Sequence, residues 1–198
     1  MSLVRETAAA EPLSPRLGGP TFTLRHRLLR IGWRLSWLAL ARWTPSPMHG
    51  WRRALLKLWG ARLAASARVY PDVVIWWPAH LVMETHASLG PGVTCYNVGE
   101  IRLGAFAIVS QRAHLCSGTH DCHDPDFPLR SLPIEIGANA WIAAEAFVGP
   151  GVTVAEGAVL GARGVAMRNL SAWTVHAGNP ASPMRERRRH PSNAGAQA

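Results

Sequence analysis

Residues 136–165 read IGANAW IAAEAF VGPGVT VAEGAV LGARGV. An aliphatic residue stands at 136, 142, 148, 154 and 160 without a slip. A small residue follows each of them, and four residues on comes another small or β-branched one. A fixed step of six is the mark of a parallel β-helix. Each hexad supplies a short flat strand and a corner, with the aliphatic side chain pointing into a triangular prism. The small residues let the chain turn and let coils stack at roughly 4.8 Å. Chance alternation in a sandwich would not hold one register across this stretch.

The same pattern runs upstream through Leu103, Val109 and Leu115. Before that it is ragged: Met83, Leu89 and Cys95 keep step, then two extra residues precede Leu103. Three hexads close a coil, so roughly four coils are readable, and Val69 with Ile75 begins another. The step breaks after Leu115 and resumes at Ile136. Residues 121–134, DCHDPDFPLRSLPI, therefore leave the prism as a loop, and a loop on a rigid scaffold is where a site is expected. At its root lies SGTHDCHD (117–124), a knot of two histidines, a cysteine and two aspartates.

The chain has 198 residues, 48% of them hydrophobic, with 18 Gly and 15 Pro. That suffices for one domain with a sizeable core and many turns. The formal charge is +9, which invites an anionic partner: nucleic acid, an anionic membrane or a phosphorylated ligand. Cys95, Cys116 and Cys122 form no framework and read as reduced thiols in the cytoplasm. Residues 1–20 lack the apolar core of a secretory signal and read as a disordered leader. No apolar run approaches the roughly 20 residues of a spanning helix.

Between residues 21 and 65 the chain carries Arg, Lys and His but no Asp or Glu. Leu24, Leu28, Ile31, Leu35 and Leu38 recur at helical spacing, and Thr44-Pro-Ser-Pro stops that helix. A second short helix is expected around Trp51–Leu63. This basic, Trp-rich hairpin is either a cap packed on the prism or a peripheral membrane contact, with Trp at the interface and Arg toward lipid phosphate. The prism occupies 66–172. A C-terminal extension, 173–198, carries a GNP turn and a basic cluster at Arg185, Arg187, Arg188 and Arg189.

The hexads, together with SPMHGWRRALLKLWGA (46–61), SQRAHLCSGTHD (110–121) and AGNPAS (177–182), resemble the hexapeptide-repeat acyltransferases. They are most similar to the acetyltransferases of colanic-acid and related exopolysaccharide gene clusters. The resemblance implies an all-β, left-handed parallel β-helix, against the right-handed rule for most crossovers. It implies a homotrimer with sites between neighbouring prisms, acetyl-CoA as donor and a sugar hydroxyl as acceptor, on a sugar nucleotide or a lipid-linked oligosaccharide. The family's catalytic histidine maps onto His120. Imidazole titrates near working pH and suits the removal of a hydroxyl proton, and Asp121 is placed to orient the ring. The donor positions map onto Ala143, Ala144, Gly161, Ala162, Met167 and Arg168, with Arg185 toward CoA phosphate. Relatives often carry Gly or Ser at 143 and 144 and Lys at 168, and a superfamily arginine is Ser182 here. The Asn and Asp that precede the catalytic coil in simpler sugar acetyltransferases are Gly90 and Val98. Tyr96, Asn97 and Glu100 stand in for them on the acceptor side; His123 lines the cleft or competes with His120 as base, and His114 lines the cleft or packs between protomers.

Two other classes compete. A trimeric β-helix zinc lyase of the γ-carbonic-anhydrase type would draw ligands from His86, His114, His120, His123 and Cys122. A non-catalytic basic module would bind membrane or nucleic acid, but the chain has no stacking-rich single-strand motif and no nucleic-acid partner is expected. No metal is expected under the acetyltransferase reading.

Overall fold

The computed structural model describes residues 21–189, so the expected leader (1–20) and the end of the tail (190–198) lie outside the described residues. From Arg62 onward the chain winds as a parallel β-helix with three faces. The first face stacks Arg62–Leu63, Leu81–Met83, Ile101–Leu103, Ile134–Ile136 and Thr153–Val154. The second stacks Arg68–Val69, Ser88–Leu89, Ile108–Val109, Trp141–Ile142, Val159–Leu160 and Thr174–Ala177. The third stacks Val74–Ile75, Thr94–Tyr96, His114–Cys116, Phe147–Val148 and Val165–Ala166. The prism has about six turns, more than the roughly four coils and the further start at Val69 and Ile75 read from the hexads, because Arg62–Leu63 and Thr174–Ala177 also join the faces.

Two residues per strand point inward, as the period-two pleat requires. One is the hexad aliphatic: Leu103, Val109 and Leu115 make one coil, Ile136, Ile142 and Val148 the next, and all are buried. The other lies two residues earlier, as Ile101, Ala107 and Ala113 do, and is buried as well. Three residues after the aliphatic the corner needs a left-handed backbone. Gly92, Gly151 and Gly157 supply it freely, while Phe106 (φ 60°), Arg112 (57°), Glu145 (60°) and Arg163 (57°) adopt it at a strain cost of about 1 kcal/mol each. At one corner these side chains form a ladder, with Arg112 Nη2 2.8 Å and Arg163 Nε 2.7 Å from the Glu145 carboxylate.

Every departure from six falls at a single corner, the one joining the third face to the first. There Trp76–His80, Tyr96–Glu100 and Cys116–Pro133 stack in successive coils. Side chains zip the bulges together. Asn97 accepts from the Trp77 N–H (3.0 Å) and donates to the Trp77 carbonyl (2.7 Å). Ser117 Oγ donates to the Tyr96 carbonyl (3.0 Å) and accepts from the Gly99 N–H (2.9 Å). Both residues are fully buried. The segment expected as a loop over 121–134 begins as a β-hairpin: Gly118–His120 pairs antiparallel with Leu129–Ser131, and Ile134 is already back in the core.

The N-terminal segment caps the first coil. Helix α1 spans Leu24–Leu40 and α2 spans His49–Leu58, so α2 starts earlier and ends sooner than expected, and Arg62–Leu63 is the first strand. Trp33 and Trp37 are buried, and the Trp33 indole N–H donates to the Ile75 carbonyl at 2.8 Å. The Leu24–Leu38 stripe faces outward instead. Arg52 of α2 is fully buried and organises the junction. Its guanidinium donates to Val69 O (2.7 Å), Thr44 Oγ1 (2.7 Å), Pro45 O (2.9 Å) and Ser46 O. At the other end Ser182–Glu186 folds back antiparallel on Thr174–Ala177, and Arg187 donates to the Asn139 (2.8 Å) and Gly157 (2.9 Å) carbonyls.

Candidate active site

His120 ends the first strand of the hairpin and is exposed. Its Nδ1 lies 2.7 Å from the Phe127 carbonyl oxygen, and its ring stacks on the Phe127 ring at 5.4 Å and 21°. A carbonyl only accepts, so Nδ1 donates to it, and in the neutral ring Nε2 is the nitrogen with the free lone pair. Phe127 turns back to meet the ring through a positive φ of 52°, closing the tip 124–127. A cavity of about 610 Å³ beside the ring is lined by Thr21, Cys122, His123, Asp124, Pro125 and Phe127.

Asp121 does not hold the imidazole. Its Oδ1 accepts from the His123 N–H (3.1 Å), and its Oδ2 is 3.5 Å from Arg130. The orienting part expected of Asp121 is taken by the Phe127 carbonyl.

Of the residues expected on the acceptor side, Tyr96 lies against the root of the hairpin: a Cβ added at Gly118 would come within 2.8 Å of its ring. Only glycine at 118 leaves room for the phenol there. Asn97, expected to meet an acceptor, has both ends of its amide engaged by Trp77 inside the fold. Glu100 is held by Arg62 and by Arg102 (3.4 Å). His114 points outward from the third face, edge-on to Phe147 at 5.4 Å. Its Nε2 is buried without a partner among the described residues, and burial pushes its pKa below the ordinary imidazole value. His123 is exposed beside His120.

The donor positions fall into two sets. Ala143, Ala144, Gly161, Ala162 and Arg185 line one groove of about 860 Å³, together with Trp141 and Arg188. The groove runs along the second face to the corner between the second and third faces. Its floor is smooth because the corner residues are small, and its far end is basic. Arg188 belongs to the basic cluster read in the C-terminal extension, whereas Trp141 was not anticipated. Trp141 occupies an outward hexad position that period six leaves unspecified, and its indole N–H donates to Ser110 Oγ at 2.9 Å. Met167 and Arg168 lie elsewhere, exposed on the corner that carries the hairpin, with Met167 packed over Gly149. Within one chain, then, His120, Met167 and Arg168 share one edge of the prism, and the groove lies on another.

The zinc alternative needs several ligands to converge. Among the described residues no group of three His, Cys, Asp or Glu side chains is placed to hold a metal ion within one chain.

No family model matches the chain. The Escherichia coli K12 protein named colanic acid biosynthesis acetyltransferase WcaF is 40% identical over 145 residues, covering 73% of this chain and 80% of that protein. A galactoside acetyltransferase solved in complex with coenzyme A superposes with a TM-score of 0.75 at 21% identity, covering 85% of each chain. A maltose O-acetyltransferase from Clostridium difficile 630 gives 0.74 at 17% identity, over 84% of this chain and 90% of that one. The latter two establish the fold and the first establishes kinship: the chain belongs to the hexapeptide-repeat acetyltransferase family and shares its left-handed β-helix.

Proposed function

We propose that this protein transfers an acetyl group from acetyl-CoA to a sugar hydroxyl during exopolysaccharide assembly, with His120 as general base. The observation that carries the reading is the His120 ring itself. It is fixed by the Phe127 carbonyl at Nδ1, which leaves Nε2 of the neutral ring to act as acceptor, and it lines an open cavity. A sugar hydroxyl is barely ionised at neutral pH, so its attack on a thioester needs proton removal as the C–O bond forms. Nε2 takes that proton while the hydroxyl oxygen bonds to the carbonyl carbon. When the C–S bond breaks, the imidazolium returns the proton to the leaving sulfur. Backbone N–H groups of the coil suit the oxyanion.

The groove fits acetyl-CoA: small residues at Ala143, Ala144, Gly161 and Ala162 admit a narrow pantetheine arm, and Arg185 with Arg188 offers charge for phosphate. Its position on a different edge from His120 supports a homotrimer in which one protomer supplies His120, Met167 and Arg168 and its neighbour supplies the groove. For the acceptor, the WcaF relative points to a sugar of a colanic-acid-like polymer, presented as a nucleotide sugar or on a lipid carrier. The test is acetyl-CoA turnover with a panel of nucleotide sugars and lipid-linked glycans, with His120→Ala alongside. Unimpaired turnover by the variant would remove the proposed base.

A further inference from the structure

Among the described residues the outer face of α1 has no partner. Leu24, Leu28, Ile31, Leu35 and Leu38 follow a 4-3-4-3 spacing down one side of the helix and are 67%, 58%, 55%, 60% and 50% exposed. Trp33 and Trp37 hold the opposite side against the prism. The apolar face continues past the helix end into the exposed rings of Trp43 and Trp51. Their indole N–H groups donate to the Ala39 and Leu40 carbonyls (2.7 Å each), which pins both rings at the terminus of α1.

Charge selects the occupant. No acidic residue occurs between Glu11 and Asp72. Arg25, Arg27, Arg34 and Arg42 are exposed along α1 and just past its end, and none of them meets a carboxylate among the described residues. A second copy laid on the stripe would set two basic borders against each other with no counter-charge between them. An anionic bilayer satisfies both features: acyl chains take the leucines, and headgroup phosphates take the guanidinium groups. No helix of the described residues is long and apolar enough to cross a membrane, so the helix would lie on the surface.

We propose that the outer face of α1, from Leu24 to Leu38 with Trp43 and Trp51 at its end, docks the protein on an anionic lipid surface. The Trp pair within α1, expected at the interface from sequence, is inside the fold, and the aliphatic stripe takes its place. The proposal does not depend on the acetyl-transfer reading, because its test measures binding rather than turnover.

The test is flotation of the full chain with phosphatidylcholine vesicles, with and without about a third phosphatidylglycerol. Binding is expected only to the anionic vesicles and should weaken as salt rises. Leu28→Glu/Leu35→Glu, at positions more than half exposed, should raise the lipid needed for half-maximal binding by at least about tenfold. Arg25→Glu/Arg34→Glu should do the same, and sedimentation should show an unchanged oligomeric state for both variants. Equal binding by wild type and variants, or binding indifferent to phosphatidylglycerol, would overturn the proposal. So would dissociation of the oligomer by the Leu→Glu variant, which would make the stripe a subunit contact.

Discussion

His120 Nδ1 and the Phe127 carbonyl oxygen meet at 2.7 Å across the hairpin, with the two rings stacked above that bond. The contact joins the end of one strand to the turn seven residues later, so the ring is held by backbone rather than by a charged neighbour. A carbonyl partner fixes the tautomer without adding a negative charge to the site.

That arrangement separates two adjacent residues experimentally. His120→Ala should lower kcat by about 10²- to 10⁴-fold, the usual worth of a general base. Asp121→Asn should leave kcat within a few-fold, since its carboxylate serves His123 and Arg130 and not the imidazole. Steady-state kinetics on the two variants checks this, and a loss in Asp121→Asn as large as in His120→Ala would contradict the geometry.

A second prediction concerns the assembly. If His120 and the donor groove of one site come from different protomers, two inactive variants should rescue each other. His120→Ala lacks the base. Ala162→Trp fills the groove at an exposed corner position, where a large side chain does not disturb the core. Random one-to-one mixed trimers would regain about a quarter of wild-type activity, because one site in four pairs two intact halves. Activity that stays at the level of the separate variants after unfolding and co-refolding would place both halves in one chain.

Much of this architecture was legible, for a physical reason. The prism interior accepts one aliphatic residue per hexad and a small or β-branched one two residues earlier, so all three faces of every coil are written into the period. The corner that breaks the period was visible only as raggedness. The sequence does not say that Trp76–His80, Tyr96–Glu100 and Cys116–Pro133 stack on one edge, because that follows from counting faces in three dimensions. The orientation of α1 was also ambiguous. A leucine stripe and a tryptophan pair compete for the inward position. The indole of Trp33 prevails because it fills the gap beneath the first coil and finds the Ile75 carbonyl for its N–H. Phe127 was invisible as a partner for His120 because Asp124-Pro125-Asp126 signals the turn but not which carbonyl and ring it brings back to the imidazole.

Arg52 supplies a prediction about stability. Its buried guanidinium satisfies three carbonyls and the Thr44 hydroxyl where the Pro-rich link meets the first coil. Arg52→Ala would take a donor from each of these acceptors, leaving Val69 O to His49 and Pro45 O to the Met48 N–H, and would open a cavity, costing about 3–5 kcal/mol. Arg52→Lys keeps the charge but not the fork, and should recover only part of that loss. Chemical denaturation monitored by tryptophan fluorescence checks both, since Trp33 and Trp37 lie in the same cap.

The last prediction follows from three imidazoles. Desolvation is the largest cause holding His26, His49 and His114 below the ordinary value of about 6.5. Neighbouring arginines add to it at His26 and His49, and a hydrogen bond to the Val69 carbonyl partly opposes it at His49. In the unfolded chain these groups take up protons as the pH falls through about 6.5, while in the folded chain they stay neutral until lower pH. The unfolded state therefore binds more protons in that window, and stability must fall with falling pH. The melting temperature should be flat above pH 7 and decline between about pH 6.5 and 5. His114→Phe, which keeps a ring against Phe147 and removes the titrating nitrogen, should make the decline shallower. An unchanged slope in that variant would show that His114 is solvated in the assembled protein.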